Sequence, residues 1–369
     1  MTRSILFFPI FIVLLTFTTG YAYGQESSTS IGGYGELHYN EPEGGTSGVL
    51  DFHRFVLYVN HQYNDWVSFT SELEVEHTFV GPEENSGELS LEQAYIELRP
   101  GDIIGIRAGI LLVPVSLINL YHEPSAFHGV ERPNFHRNLI PSTWREAGAG
   151  IFGAPAHNLQ YQLYVMSSLR AEGLSGSTGL RGGRQKAIMS STADLAVTGR
   201  LEYLPILGLG LGASFFTGST TGGSNMTVDG RVTLVSGDVR YGIGNLALRG
   251  EAVMIDIADA DMINQVFNNG VADKLNGWYF EAAYDILPHF VSTNEQQLCV
   301  FGRYEKYNTQ AEVTGFTAND AYDRTEITAG LTYKPVPDVA FKIDYQLFDD
   351  ARDADAKGQF NAGVGYAFF

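Results

Sequence analysis

Val67-Ser-Phe-Thr-Ser-Glu-Leu-Glu-Val-Glu76 alternates along an extended chain: Val67, Phe69, Leu73 and Val75 fall on one side, and Ser68, Thr70, Glu72, Glu74 and Glu76 on the other. One side suits hydrocarbon and the other suits water. A tilted strand of roughly 9–11 residues is long enough to cross a bilayer core. The Glu72, Glu74 and Glu76 carboxylates repeat at about 7 Å, twice the rise per strand residue, as a row facing water.

The same period returns in Leu159, Tyr161, Leu163 and Val165 against Gln160 and Gln162. It returns in Trp278, Phe280, Ala282 and Tyr284 against Glu281 and Asp285, and in Phe341, Ile343, Tyr345 and Leu347 against Lys342, Asp344 and Gln346. Read throughout, it predicts sixteen strands: 30–41, 49–61, 66–80, 88–99, 103–113, 145–154, 157–168, 191–204, 207–218, 228–241, 245–258, 276–288, 296–308, 324–335, 338–350 and 358–369. An even count lets an antiparallel up-and-down chain close into a barrel, leaving no edge that lipid cannot satisfy. Alternate links, at 60–65, 99–102, 153–156, 204–206, 241–245 and 334–338, are tight and rich in Gly, Pro, Asn and Asp. On the opposite end 169–190, 218–228, 258–275 and 308–323 are long, and 113–145 is the longest. The link 287–295 is long for the tight end.

Ahead of the strands, Arg3 precedes an apolar run from Ile5 to Phe17, and Ala22 and Gly24 stand three and one positions before a cut at Gly24-Gln25. This reads as a signal peptide over 1–24, too short for a membrane helix. The expected fold is therefore all-β, one transmembrane barrel over 25–369 in the outer membrane. Composition agrees: 42 Gly, 20 Tyr and 23 Phe favour strands, and a net charge of −19 argues against nucleic acid. Cys299 is the sole cysteine, so no intrachain disulfide holds the exported chain. Tyr63, Trp66, Tyr203, Tyr241, Trp278, Tyr333 and Phe368 fall near strand ends, where aromatic girdles sit at the water–lipid boundary.

The last strand carries Asn361, Gly363, Tyr366 and Phe368, which resemble the assembly signal that outer-membrane barrels present to their insertion machinery. Phe369 is appended out of phase. Within the longest link, Glu131-Arg-Pro133 and then Ile140-Pro-Ser-Thr-Trp-Arg-Glu-Ala-Gly-Ala-Gly150 resemble the third-loop region of the phosphate-selective porin O/P-like family, with the specific matches concentrated in 95–153. The resemblance implies a sixteen-stranded, usually trimeric channel of a Gram-negative bacterium, its third loop folded into the lumen as a constriction. Phosphate selectivity is not carried over. Such selectivity rests on a ladder of arginines and a lysine cluster, whereas inward positions here mix Arg54, Arg107, Arg200, Arg240, Arg249 and Arg303 with Glu72, Glu74, Glu76, Glu97, Glu202, Glu251, Glu281 and Glu305.

His128-Gly-Val-Glu-Arg-Pro-Asn-Phe-His-Arg-Asn138 holds residue types that catalysis and metals use. No nucleophile elbow accompanies it, and His128 with His136 has no metal-ligand spacing, so neither catalysis, a cofactor nor a metal is expected. The expectation is a constriction lined by His128, Glu131, Arg132, His136, Arg137 and Arg145, with Arg107, Glu72, Glu74, Glu76 and Glu97 on the pore wall. Arg145 and Glu146 have an equal claim to fixing the loop on the barrel. Gly208-Leu-Gly-Leu-Gly-Ala-Ser214 is a strand, its leucines toward lipid, and not a nucleotide loop, because no helix follows. Arg170, Arg181, Arg184 and Lys186 make 169–190 basic, suited to lipopolysaccharide phosphates or to a solvated loop. Expected partners are outer-membrane lipid and lipopolysaccharide, the barrel assembly machinery, two further copies in a homotrimer, and small hydrophilic solutes. Passive diffusion with weak selectivity, leaning to cations, is the function; a plugged barrel serving adhesion or structure is the alternative.

Overall fold

The structure, a computed structural model, describes residues 27–45, 47–81, 86–220, 230–291 and 295–369. The expected leader over 1–24 lies outside the described residues.

Sixteen strands form one closed antiparallel barrel. They are β1 (Ser28–Pro42), β2 (Val49–Asn64), β3 (Val67–Glu76), β4 (Leu89–Leu98), β5 (Gly105–Leu112), β6 (Arg145–Ala156), β7 (Leu159–Ser167), β8 (Leu195–Ile206), β9 (Leu209–Ser219), β10 (Arg231–Ile243), β11 (Leu246–Ala258), β12 (Lys274–Asp285), β13 (Gln297–Glu312), β14 (Asp323–Val336), β15 (Val339–Asp350) and β16 (Asp353–Phe368). Each pairs with its sequence neighbours, and β1 closes on β16 in a register that sets Gly33 opposite Phe368 and Asn40 opposite Asn361. Closure satisfies every strand within the wall, the condition that lipid imposes. Among the described residues no helix is long and apolar enough to cross a membrane.

The alternation resolves into an inside and an outside. In β3, Glu72 and Glu74 are buried while Leu73 between them is 39% exposed. Ile96, Leu163, Val197, Phe280, Ile327 and Phe341 continue the exposed apolar belt on other strands. In a closed barrel the buried charged face is the inner one.

Strand ends differ from the sequence reading where the backbone departs from extended geometry. β3 stops at Glu76 rather than 80, because His77 and Thr78 take φ of 52° and 55°. Leu207 and Gly208 form the β8–β9 turn instead of opening β9, with Gly208 at φ 82°. β16 begins at Asp353, so one link at the loop-bearing end is only residues 351–352.

Among the described residues three short α-helices lie in the long links: α1 (Leu117–Leu120) and α2 (Phe135–Asn138) in 113–144, and α3 (Ala260–Phe267) in 259–273. Part of the inner wall facing them is apolar. Phe216, Val232, Leu234, Val253, Ile255 and Ile257 join Phe135, Leu139, Ile140 and Trp144 in one buried cluster. Leu169, Leu174 and Leu180 of the link 168–194 enter the same cluster, so that link is packed and not a solvated tail. Each such side chain contributes about 1.5–3 kcal/mol on full burial.

Candidate functional site

The segment 113–144 is fixed first at its base. Val113 donates its N–H to the Trp144 carbonyl at 2.8 Å, and Asn119 spans both ends, donating to Val113 O at 2.8 Å and accepting from Trp144 N at 2.7 Å. One amide side chain thus ties entry to exit.

Beyond the base, the segment meets inward-facing groups from Ser116 to His136. His122 contacts Glu72 of β3 at 3.3 Å and Glu92 of β4 at 3.5 Å. Lys334 of β14 donates to Ser125 O at 2.7 Å and Arg249 of β11 to Ala126 O at 2.8 Å. Asp344 of β15 accepts from Val130 N at 2.6 Å. Arg303 of β13 donates to the carbonyls of His128 and Glu131, each at 3.3 Å. Glu305 accepts from Phe135 N at 2.9 Å, Glu326 accepts from Asn134 at 2.7 Å, and His136 meets Glu251 at 2.9 Å. Glu251 also accepts from Ser116 at 2.9 Å. Glu131 receives His38 and Asn40 of β1, both at 3.0 Å. These partners stand on β1, β3, β4, β11, β13, β14 and β15.

Electrostatics match the anchoring. Burial alone would depress the His122 imidazole, but its hydrogen bonds to Glu72 and Glu92 outweigh that and raise its pKa to about 10. Burial would raise Glu131, yet the His38 hydrogen bond and charge bring it down to about 2. His128 goes the other way: burial and then the nearby Arg249 and Lys334 push it to about 3, leaving it neutral and stacked on Phe301 with ring centres 5.6 Å apart.

The expected constriction residues therefore divide. Glu131, Arg132 and Arg137 line a 340 Å³ cavity together with Glu36, His38, His53, Arg54, Glu76, His77 and Arg181. His128 lines a separate 370 Å³ cavity toward the tight-turn end, with Arg249, Asp285, Cys299 and Lys334. His136 and Arg145 are buried against Glu251 and Glu92 respectively, and line none of these cavities. Of the carboxylate row Glu76 reaches the 340 Å³ cavity; Glu72 is taken by His122 and Gln93, and Glu74 faces Arg54. Arg107 pairs with Glu97 at 2.8 Å and lines a 280 Å³ cavity with Tyr95, Tyr121 and Gln162. Asn361 is fully buried, donating to Asp344 at 2.7 Å, and Phe368 is 40% exposed. Gly210 and Gly212 point inward at the guanidinium groups of Arg240 and Arg200, which a methyl would meet at 2.7 and 2.2 Å.

A 700 Å³ cavity lies nearer the loop-bearing end, lined by Tyr307, Arg324, Asp349, Arg352 and Lys357, and it shares Asn134 and Arg137 with the 340 Å³ one. Arg181 and Arg184 reach down from the link 168–194 to Ser142, donating at 3.4 and 2.9 Å. His38, Lys334 and Asn134 were not singled out as site residues in the sequence, and Arg181 was read only as part of a basic outer loop; strand register and loop packing bring them to the segment. Beneath the cavities Pro124 and Val130 press on Gly365 and Gly363, where a methyl would stand 2.4 and 3.0 Å from them.

No known family's sequence pattern matches the chain. A protein of Aquifex aeolicus (strain VF5), described as uncharacterized, is 34% identical over 361 residues, covering 94% of this chain and 81% of that one. Among solved structures, Salmonella typhi OmpF in complex with daunomycin has a TM-score of 0.61 at 15% identity, covering 92% of this chain and 97% of that one. The outer-membrane channel DcaP of Acinetobacter baumannii has 0.60 at 12%, covering 93% and 97%. The anion-selective porin from Comamonas acidovorans has 0.59 at 14%, covering 93% and 100%. At these identities the likeness is one of fold: a sixteen-stranded porin-type barrel.

Proposed function

We propose that this chain, which belongs to the family of the Aquifex aeolicus protein, is an outer-membrane porin through which small hydrophilic solutes and ions diffuse passively. The observation that carries the reading is the segment 113–144, hydrogen-bonded to inward groups on strands around the wall, with two polar cavities sharing Arg137 left beside it. In this reading the segment is the constriction. Glu36 and Glu76 on the wall face Arg132 and Arg137 on the segment, and opposed charges of this kind orient polar solutes as they pass. Charges of both signs give weak selectivity, and the acidic chain leans it toward cations.

The kinship to phosphate-selective porin O/P-like proteins belongs to this reading without phosphate selectivity. So do export through a leader over 1–24, insertion through the signal at Asn361, Gly363, Tyr366 and Phe368, a homotrimer, and lipopolysaccharide contact through Arg170 and its basic neighbours. Purified protein in a planar bilayer is expected to give stable channels with a mild cation preference under a salt gradient. A reversal potential favouring anions would refute the cation leaning.

A second reading, a closed barrel serving adhesion or structure, is favoured by the contacts of Pro124 and Val130 on Gly365 and Gly363. Deleting 122–138 separates the two. A filter conducts before the deletion and conducts more afterwards, losing its size limit; a plug conducts only afterwards.

A further inference from the structure

We propose that Asp51, His53 and His77 form a binding site for a divalent transition-metal ion of the Zn²⁺ type at the edge of the 340 Å³ cavity. Their ligand atoms all lie within 4.8 Å of one another. The Asp51 carboxylate stands 2.8 Å from His77 Nδ1 and 3.3 Å from His53 Nδ1. Ligands about 2.0–2.1 Å from a tetrahedral ion stand about 3.3 Å apart, so small shifts suffice to seat one.

The fold brings the three together. Register slips between Glu36 and His38 of β1, a bulge in β2 that lets both His53 and Arg54 reach the same cavity. Opposite, β3 ends at Glu76, and His77 donates its N–H to His53 O at 3.3 Å. The left-handed backbone at His77 then carries its ring toward Asp51.

Two imidazoles and one carboxylate select borderline ions over Ca²⁺ or Mg²⁺, which take oxygen. The site also has an open side: His53 and His77 line the cavity, so a water can complete the coordination. Glu72, Glu92 and His122 form a second group of suitable residue types, but it is buried and already engaged by Gln93 and Arg145. Arg54 donates to His53 Nε2 at 2.9 Å, which leaves the proton of a neutral ring on Nδ1. On metal binding that proton moves to Nε2, and Arg54 keeps Glu36 and Glu74 as partners.

The proposal does not depend on conduction, because binding is read on detergent-solubilised full-length protein. Titration with Zn²⁺ alone, and with Co²⁺ for its visible absorption, is expected to give one ion per chain. His77→Ala and Asp51→Asn should each weaken it roughly tenfold or more. His157→Ala, in an exposed turn, should leave it unchanged. Variants are confirmed as folded by heat-dependent gel migration, and the two substitutions serve as mutual checks. Absence of binding would overturn the proposal. So would affinity that survives both substitutions, or that is lost only in His122→Ala.

Discussion

Strands β9 to β12 turn Phe216, Leu234, Val253 and Ile255 toward the inside, whereas β1 to β3 turn Glu36, Arg54 and Glu74 there. The first wall takes up Trp144, Phe135 and Leu139 of the segment 113–144 in one buried cluster. The second keeps a 340 Å³ space lined by charge. Toward the loop-bearing end the barrel thus has an apolar half that fixes the segment and a polar half that leaves space along it, while nearer the tight turns β10 to β12 line the 370 Å³ cavity with Arg249 and Asp285. In the proposed reading, the segment's position follows from the first and permeation from the second.

Hollowing the apolar half has the largest expected effect. Trp144→Ala removes a fully buried ring from the cluster and should cost about 3–5 kcal/mol, read by denaturant or thermal unfolding. A loss below about 1 kcal/mol would mean that the cluster does not hold the segment.

A smaller and reversible effect is expected from pH. The His122 pKa is raised, so the stability it adds is complete below the ordinary histidine value near 6.5 and is lost as pH rises through about 10. Channel current should therefore be steady through neutral pH and grow noisier in that alkaline window, as the His122 contact with Glu72 and Glu92 weakens. In His122→Ala the step should vanish; an unchanged step would assign it elsewhere.

The least disruptive test is in the polar half. Arg137 is exposed between two cavities, so Arg137→Gln should change stability by no more than about 0.5 kcal/mol. It should shift the reversal potential toward cations. A stability loss comparable to that of Trp144→Ala would erase the distinction between the halves.

The same distinction explains what the sequence revealed. Strand number and closure were legible because polar and apolar residues alternate between tight turns. Inward charges such as Arg54, Arg303 and Glu281 followed from the same phase. The apolar half was not legible: in Val232-Thr-Leu-Val235 both faces are apolar, so the period fades just where the segment packs. Within the segment, residue type pointed to His136 and Arg145 as readily as to Arg137. Only the structure separates them, since a buried partner such as Glu251 or Glu92 lies far away in sequence. Asp51, His53 and His77 were likewise hidden, because a bulge and a strand end bring them together.

Passage of solutes along the charged wall of β1 to β3, with the cluster around Leu234 staying dry, is tested most directly by thiol modification during bilayer recording. With Cys299→Ser as background, Arg137→Cys and Leu234→Cys place single thiols in the two halves. A charged methanethiosulfonate reagent should lower the current through Arg137→Cys channels and leave Leu234→Cys channels untouched. Block at position 234, or full modification at 137 without a change in current, would contradict the account.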